Sequence, residues 1–351
     1  MIDALPQRNG HYTSHPEAPH FAFRSIVGRS PELLASIDLA RRVAESRRTT
    51  VLIIGETGSG KELIARGIHG AGVDAADPFV AVNCAAIPHS LLESELFGYE
   101  PGAFTGAEIP KPGLVELAGV GTLFLDEIHQ LPAAMQPKLL RILESRTYRR
   151  LGGHEELPVN CRIVTAANVS LEDAVAAGDF REDLYYRLAV FTVPLPALRE
   201  RPRDIDVIAR HFLAQSAAAA RRSPKVLNAD AAAALRSHGW PGNVRELKNV
   251  MERAYIVSGD EITIRPEHII IQHRISRPVT TANPDAVGDI TIPRSGKTLA
   301  QVEREAAQLT MQLTGGNQSA AAKLLGISRP TLARILRDGA SAERQKLAAV
   351  G

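Results

Sequence analysis

Two short clusters in this sequence of 351 residues could do chemistry together. Gly55-Glu56-Thr57-Gly58-Ser59-Gly60-Lys61 follows the apolar run VLII (51–54) and precedes a segment of helix-like spacing. Its glycines let the backbone turn inward, so that successive amide N–H groups and a helix N-terminus face one anion. Lys61 adds a point charge suited to the β- and γ-phosphates of a nucleotide. Glu62 stands where such a loop usually places Ser or Thr against magnesium. The second cluster, Asp126-Glu127, ends the run TLFL (122–125). A buried strand there would present both acids at its C-terminal edge, where open α/β sheets bind ligands. Asp126 is suited to hold Mg2+, directly or through water, and Glu127 to polarise an attacking water. Together the clusters predict ATP hydrolysis.

The elements that must position these clusters read as strands at 51–54, 79–84, 122–125, 161–167 and 190–195, alternating with helical stretches such as 61–69 and 134–145. This alternation predicts an α/β fold with helices on both faces of a mostly parallel sheet. The strands stop after Pro196, and 203–257 reads as helices of a small lid. The expected organisation is a disordered segment at 1–23, an α/β subdomain at 24–195 and a helical lid subdomain at 196–271. A linker at 272–297, a C-terminal all-α unit at 298–340 and a tail at 341–351 follow.

Composition narrows the class. The apolar share of 44% and charged share of 23% are those of a globular chain. A net charge of +2 means that any nucleic-acid contact must come from a local patch. No run approaches the roughly 18 apolar residues of a membrane span, and residues 1–20 lack the pattern of a secretory leader. With Cys84 and Cys161 in apolar runs, reduced core thiols and a cytoplasmic location are expected.

The C-terminal unit carries such a patch. Thr298 and Gln301 form a capping box for a first helix. Leu299, Val302, Ala306, Leu309 and Leu313 then recur at helical spacing, an apolar stripe for core or dimer packing. Residues 318–325 and 329–337 read as two short helices around the turn Gly326-Ile327-Ser328, with Ala322 small at their crossing and Leu325, Ile327, Leu332 and Ile335 inward. This is helix-turn-helix spacing. Lys323, Arg329, Arg334 and Arg337, with no acid between 317 and 337, suit the phosphates of double-stranded DNA. Ser328, Arg329 and Thr331 stand where the second helix begins, and Arg329 and Thr331 are placed to reach base edges.

The motifs GETGSGKE (55–62), GAFTGA (102–107), TLFLDEI (122–128), FREDLYYRL (180–188) and WPGNVRELKN (240–249) occur in this order. Together they resemble the central domain of bacterial enhancer-binding proteins, the sigma-54-dependent AAA+ activators, over residues 24–271. The C-terminal unit is similar to that family's Fis-type helix-turn-helix. Glu after the loop lysine is usual in the family, so Glu62 agrees with it. The resemblance implies an AAA+ P-loop sheet domain in which 55–62 bind ATP and the loop Gly102, Ala103, Phe104, Thr105, Gly106 and Ala107 grips sigma-54. It also implies that Asn83 holds Glu127 and that Arg181 and Arg187 reach a neighbouring subunit's γ-phosphate. Arg245 would be the lid's sensor arginine and Asn168 the polar sensor at a strand end. Two departures are Ala167, where the family usually has Thr, and Lys111-Pro112 after the loop.

The resemblance thus implies an activator that binds upstream DNA, assembles as a homo-oligomeric ring, expected to be a hexamer, and remodels sigma-54 RNA polymerase to allow promoter opening. A regulator of the TyrR kind would lack the GAFTGA tip, and a general protein remodeller would lack the helix-turn-helix. About 25 residues precede the ATPase. The expectation is therefore either a regulatory protein acting in trans or a sequence that is part of a longer chain.

Overall fold

The computed structural model describes residues 12–14, 23–72, 77–271 and 297–337. Apart from Lys297, the linker expected over 272–297 lies outside the described residues, as does the expected tail at 341–351. The chain divides into two compact units, 1–271 and 272–351.

The first unit begins with β1 (Tyr12–Ser14), α1 (Pro31–Ala44), β2 (Val51–Ile54), α2 (Lys61–Ala71), β3 (Phe79–Asn83) and α3 (His89–Phe97). A two-strand ribbon, β4 (Gly98–Tyr99) and β5 (Lys111–Pro112), leads through α4 (Leu114–Leu117) to β6 (Thr122–Asp126) and α5 (Gln136–Ser145). A second ribbon, β7 (Thr147–Tyr148) and β8 (Leu157–Pro158), precedes β9 (Arg162–Ala167), α6 (Leu171–Ala176), α7 (Glu182–Leu188) and β10 (Phe191–Pro194). The main sheet has the order β1-β3-β6-β9-β2-β10, parallel except for β1.

Alternate residues of the parallel strands enter different cores, which is why the strands read as unbroken apolar runs. Val51 and Ile53 pack with Leu33, Ile37, Ile64 and Ile68 of α1 and α2. Leu52 joins Leu92, Leu139 and Ile142 of α3 and α5 on the opposite face. Cys84 and Cys161 are buried and unpaired.

One difference from expectation lies at the amino end. Within the segment read as disordered, β1 pairs antiparallel with β3, Tyr12 opposite Val82 and Ser14 opposite Val80. The outer edge of β3 would otherwise present unpaired backbone groups, and a three-residue strand supplies partners while being too short to show periodicity.

The lid consists of α8 (Pro202–Ala219), β11 (Val226–Leu227), α9 (Ala229–Ser237), α10 (Asn243–Val257) and β12 (Thr263–Ile264). The parallel β11–β12 pair is an addition to the all-helical reading. Trp240 is fully buried in the lid core, and its indole Nε1 donates to Leu235 O at 2.8 Å.

The second unit contains α11 (Leu299–Leu313), α12 (Gln318–Leu324) and a further helix described over 329–337. Gln301 Oε1 accepts from Thr298 N at 2.8 Å, half of the expected capping box. Ala307, Ala321, Ala322 and Leu332 form the centre, with Leu325, Ile327 and Ile335 packed around it. The expected stripe on α11 does not face this core: Leu299 is 74% and Leu313 52% exposed. The packing face is instead Ala307, Thr310 and Met311, whose smaller side chains let α12 approach closely. Of the two expected roles of the stripe, core or dimer packing, this excludes the first.

Candidate functional site

The loop 55–60 leaves β2 beside the end of β9, where Gly55 N donates to Ala167 O at 3.1 Å. Gly58 (φ 78°) and Gly60 (φ 111°) take left-handed backbone conformations, which open a concave turn into α2. Lys61 starts α2 and is 6% exposed; its Nζ donates to Gly55 O at 2.8 Å and Glu56 O at 3.3 Å. Burial presses the Lys61 ammonium below its ordinary range, against the pull of Asp126 and Glu127. Burial likewise pushes the Asp126 carboxyl up, opposed by Lys61.

A buried ammonium with amides at a helix start suits an anion, and a half-buried carboxylate nearby suits a cation. Ser59 Oγ and Asn168 Oδ1 are buried without a hydrogen-bond partner, as expected of groups shaped for a ligand. Phosphates and a divalent cation therefore fit the residues present. Glu62 is not turned to the cleft alone: it pairs with Arg66 at 2.9 Å, one turn along α2.

Asp126 ends β6 in register with Asn83 of β3. Its Oδ1 accepts from Glu127 N at 2.9 Å, and Glu127 itself has a left-handed backbone, φ 56°. That turn aims Glu127 towards Asn168, whose Nδ2 donates to Glu127 Oε1 at 3.3 Å and to Thr57 Oγ1 at 2.7 Å. Here the structure differs from the resemblance. Among the described residues Asn83 is not bonded to Glu127; its Oδ1 accepts from Ala85 N at 2.9 Å, closing the turn that follows β3. Asn168 makes the contact instead. On the other side of Glu127, His129 Nε2 lies 3.6 Å from Oε2, and burial lowers the affinity of its ring for a proton.

The lid reaches this site through residues that the motifs did not single out. Asn243, fully buried with φ 52°, donates through Nδ2 to Glu56 Oε2 at 3.0 Å and Thr57 O at 3.1 Å. Arg199 grips the Glu56 carboxylate with two bonds, of 2.8 and 2.6 Å. These partners hold the Glu56 carboxyl down at about 2. Arg201, 2% exposed, donates to Ser59 O at 2.8 Å. Ile26, Val27, Ile208, Phe212 and Val244 line an apolar recess beside Ser59 and Gly60, suited to the flat face of a purine. Arg245 is exposed, one residue beyond the backbone bond from Val244 N to Gly58 O at 3.0 Å.

Arg181 and Arg187 stand elsewhere. Arg181 caps α7 and pairs with Asp183 at 2.6 Å, while the Arg187 guanidinium donates to Leu143 O at 3.1 Å; both are exposed. Among the described residues neither is bonded to 55–62, Asp126 or Glu127 of its own chain.

The 102–107 loop is the tip of the β4–β5 ribbon. Gly102 N donates to Ala107 O at 2.8 Å and Ala107 N to Phe104 O at 3.1 Å, so the tip is a closed turn rather than a slack loop. Gly102 (φ 83°) and Gly106 (φ 97°) provide the turn's left-handed positions. Phe104 is 44% exposed and packs edge-on against Tyr99 at 4.9 Å, with Thr105 exposed beside it. Ala107, expected at the contact surface, is buried because it closes the base of the turn.

In the second unit Lys323, Arg329, Arg334 and Arg337 are all exposed. Ser328 caps the helix at 329–337: its Oγ lies 2.7 Å from Thr331 Oγ1 and accepts from Thr331 N at 3.3 Å. Both hydroxyls are thus engaged in starting that helix.

A parallel sheet carrying a glycine-rich phosphate loop, two acids at the adjacent strand end and a helical lid defines an AAA+ ATPase, here followed by a helix-turn-helix unit. Comparisons agree. Residues 26–194 match the model of the Sigma-54 interaction domain, 199–285 that of the AAA+ ATPase lid domain and 298–338 that of the Bacterial regulatory protein, Fis family. The chain is 44% identical over 309 residues to the sigma54-dependent transcriptional activator SfnR of Pseudomonas putida, covering 86% of this chain and 83% of that one. It is 42% identical over 307 residues to the regulatory protein AtoC of Escherichia coli (strain K12), spanning 88% of this chain and 66% of AtoC. NtrX from Brucella abortus in complex with ATP superposes with a TM-score of 0.66 at 32% identity, covering 90% of this chain and 69% of that one. The chain belongs to the sigma-54-dependent transcriptional activators. Among the described residues no helix is long and apolar enough to cross a membrane.

Proposed function

We propose that this protein hydrolyses ATP and uses the work to remodel sigma-54 RNA polymerase through the 102–107 turn while its C-terminal unit holds upstream DNA. The observation that carries the reading is the meeting of Lys61, Asp126, Glu127 and Asn168 at one end of the main sheet, in a chain whose separate β4–β5 ribbon exposes the Phe104 tip. The loop amides and Lys61 bind the phosphates, and the apolar recess takes the base. Asp126 is the residue that would hold Mg2+. Among the described residues no group of three or more His, Cys, Asp or Glu side chains is set for a metal, so phosphate oxygens and waters would complete its shell. When bound, Mg2+ supplies positive charge against the phosphate oxygens. Glu127, oriented by Asn168, polarises the water.

Arg181 and Arg187, outside their own site and exposed, act on the nucleotide of a neighbouring subunit in a ring, which we take to be hexameric. Lys323, Arg334 and Arg337 hold DNA phosphates, while Arg329 reads a base edge.

Co-elution of the protein with sigma-54, trapped by an ATP transition-state mimic, tests the reading. Wild-type protein is expected to form the complex and Phe104→Ala to fail while still hydrolysing ATP. Normal activation of a sigma-54 promoter by Phe104→Ala would overturn it.

A further inference from the structure

Phosphate loops bind through their amides, so their carbonyls must point the other way and find donors of their own. In this chain Lys61 serves the carbonyls of Gly55 and Glu56, and the donors for the next three come from the lid. Thr57 O accepts from Asn243 Nδ2 (3.1 Å), Gly58 O from Val244 N (3.0 Å) and Ser59 O from Arg201 Nη2 (2.8 Å). The preceding Glu56 carboxylate is held by Arg199 and Asn243. Four consecutive residues, 56–59, are thus gripped from behind by a subdomain more than 130 residues away in sequence. The grip is itself anchored. Asn243 Oδ1 accepts from Leu198 N at 2.7 Å, and Asp204, fully buried, binds Arg29 N, Ser30 N and Ser30 Oγ at the start of α1.

Asn243 is the centre of this arrangement. It occupies a left-handed backbone position that Gly or Asn tolerates best. Its one amide group serves the loop with the nitrogen and the Leu198 backbone with the oxygen. Packing leaves no slack, because a Cβ on Gly58 would lie 2.4 Å from Gly242 O.

We propose that the lid is the back wall of the phosphate cradle, with Asn243, Arg199 and Arg201 as positioning residues that aim the 56–59 amides at the nucleotide without touching it. The inference rests on the nucleotide-site reading above. It makes phosphate affinity a property of both subdomains. A lid that shifts then alters the cradle directly, independently of any lid arginine that reaches the nucleotide.

The test is equilibrium binding of a fluorescent ATP analogue, alongside steady-state hydrolysis, by the full chain. Asn243→Gly keeps the backbone position and removes the side-chain donor. It is expected to raise Kd for ATP and ADP about tenfold, which is about 1.4 kcal/mol. The loss should appear mainly in KM, with a smaller change in kcat at saturating ATP. Arg199→Ala, at the surface, is expected to weaken binding in the same direction, and Arg199→Lys to recover part of it. A purely structural role for Asn243 would lower the melting temperature and leave Kd at the wild-type value, and that result overturns the proposal. So does wild-type Kd in a folded Arg199→Ala protein if Asn243→Gly does not fold. Lys61→Ala separates the two readings: if it too binds ATP normally, the nucleotide site itself is misassigned.

Discussion

Gly58 and Gly60 offer a pair of substitutions that differ in one respect. Both have positive φ, 78° and 111°, so alanine at either carries a backbone cost of about 1–2 kcal/mol. At Gly60 a Cβ meets nothing within 4 Å. At Gly58 it would lie 2.4 Å from Gly242 O and 3.1 Å from Arg245 Cβ, and the first of these is backbone that cannot swing away. Overpacking of that kind adds about 1–3 kcal/mol. The structure relieves it most cheaply by parting the lid from the loop, which also opens the bonds to Thr57 O and Gly58 O. Gly58→Ala should therefore bind ATP about 5- to 150-fold more weakly than Gly60→Ala, the equivalent of that added energy. Trp240, the chain's only tryptophan, lies in the lid core, so its fluorescence reports lid melting while a labelled nucleotide reports binding. Lid melting at a lower temperature in Gly58→Ala than in Gly60→Ala is the second expected result. Equal affinities and equal lid melting in the two variants would refute the reasoning, because the steric difference would then have no consequence.

Arg187→Ala should bind ATP yet hydrolyse it far more slowly, by roughly 10³-fold or more if it serves as a finger in trans; full hydrolysis by demonstrably monomeric wild-type protein would sink that role. For DNA, Arg329→Ala should cost about 1–3 kcal/mol on the specific site and relax one position. Lys323→Ala should weaken binding to all sequences and reduce the salt slope by about 1, so identical behaviour of the two variants argues against base reading. The Glu56 carboxyl is held at about 2 against an ordinary 4.5, so its paired form stabilises the fold above pH 4.5, and that contribution disappears as pH falls from 4.5 towards 2. Because Glu56 is partly exposed, the effect is screened. The melting-temperature gap between wild type and Glu56→Gln should shrink over that window, and a gap that stays constant there would show that the carboxylate charge contributes nothing.

The phosphate loop and the Asp126-Glu127 pair were legible because each is a local pattern at the end of an apolar run, and the five principal strands fall where those runs stand. The lid's grip was not. Asn243 to Glu56 spans 187 residues, and Arg201 to Ser59 spans 142. No periodicity records a contact of that kind. Asn83 and Asn168 both end strands, and only register and turn geometry tell them apart: Asn83 is consumed by its own turn, whereas Asn168 projects beside Glu127. On α11 periodicity left core and dimer packing open, and the core went to the smaller neighbouring face, because a short helical unit with alanines at its crossing packs by close approach. Ser328 and Thr331, expected at the DNA, also cap the helix they begin, a local role that residue type alone does not reveal.

The proposed dependence on a neighbour follows from where the charges lie. One side of the cleft holds Lys61 and the loop amides. The other is made of Asp126 and Glu127 with Asn168 between the loop and Glu127; apart from the Mg2+ that Asp126 would hold, no Lys or Arg side chain among the described residues is bonded there to meet the developing negative charge of a γ-phosphoryl transition state. Arg181 and Arg187 cannot fill that gap in their own chain, since α7 packs on α5 and holds them to Asp183 and Leu143 O. Their present partners are weak holds. An exposed pair such as Arg181 with Asp183 is screened by solvent and holds weakly, and the carbonyl of Leu143 is a neutral acceptor. A phosphate delivered by an adjacent subunit is a stronger partner for either guanidinium, because it is charged and can accept two bonds at once. Exchange of these surface partners for a neighbour's γ-phosphate is then favourable only where two chains meet. On that reading hydrolysis reports assembly: an isolated chain binds ATP with a complete cradle and turns it over with an incomplete one.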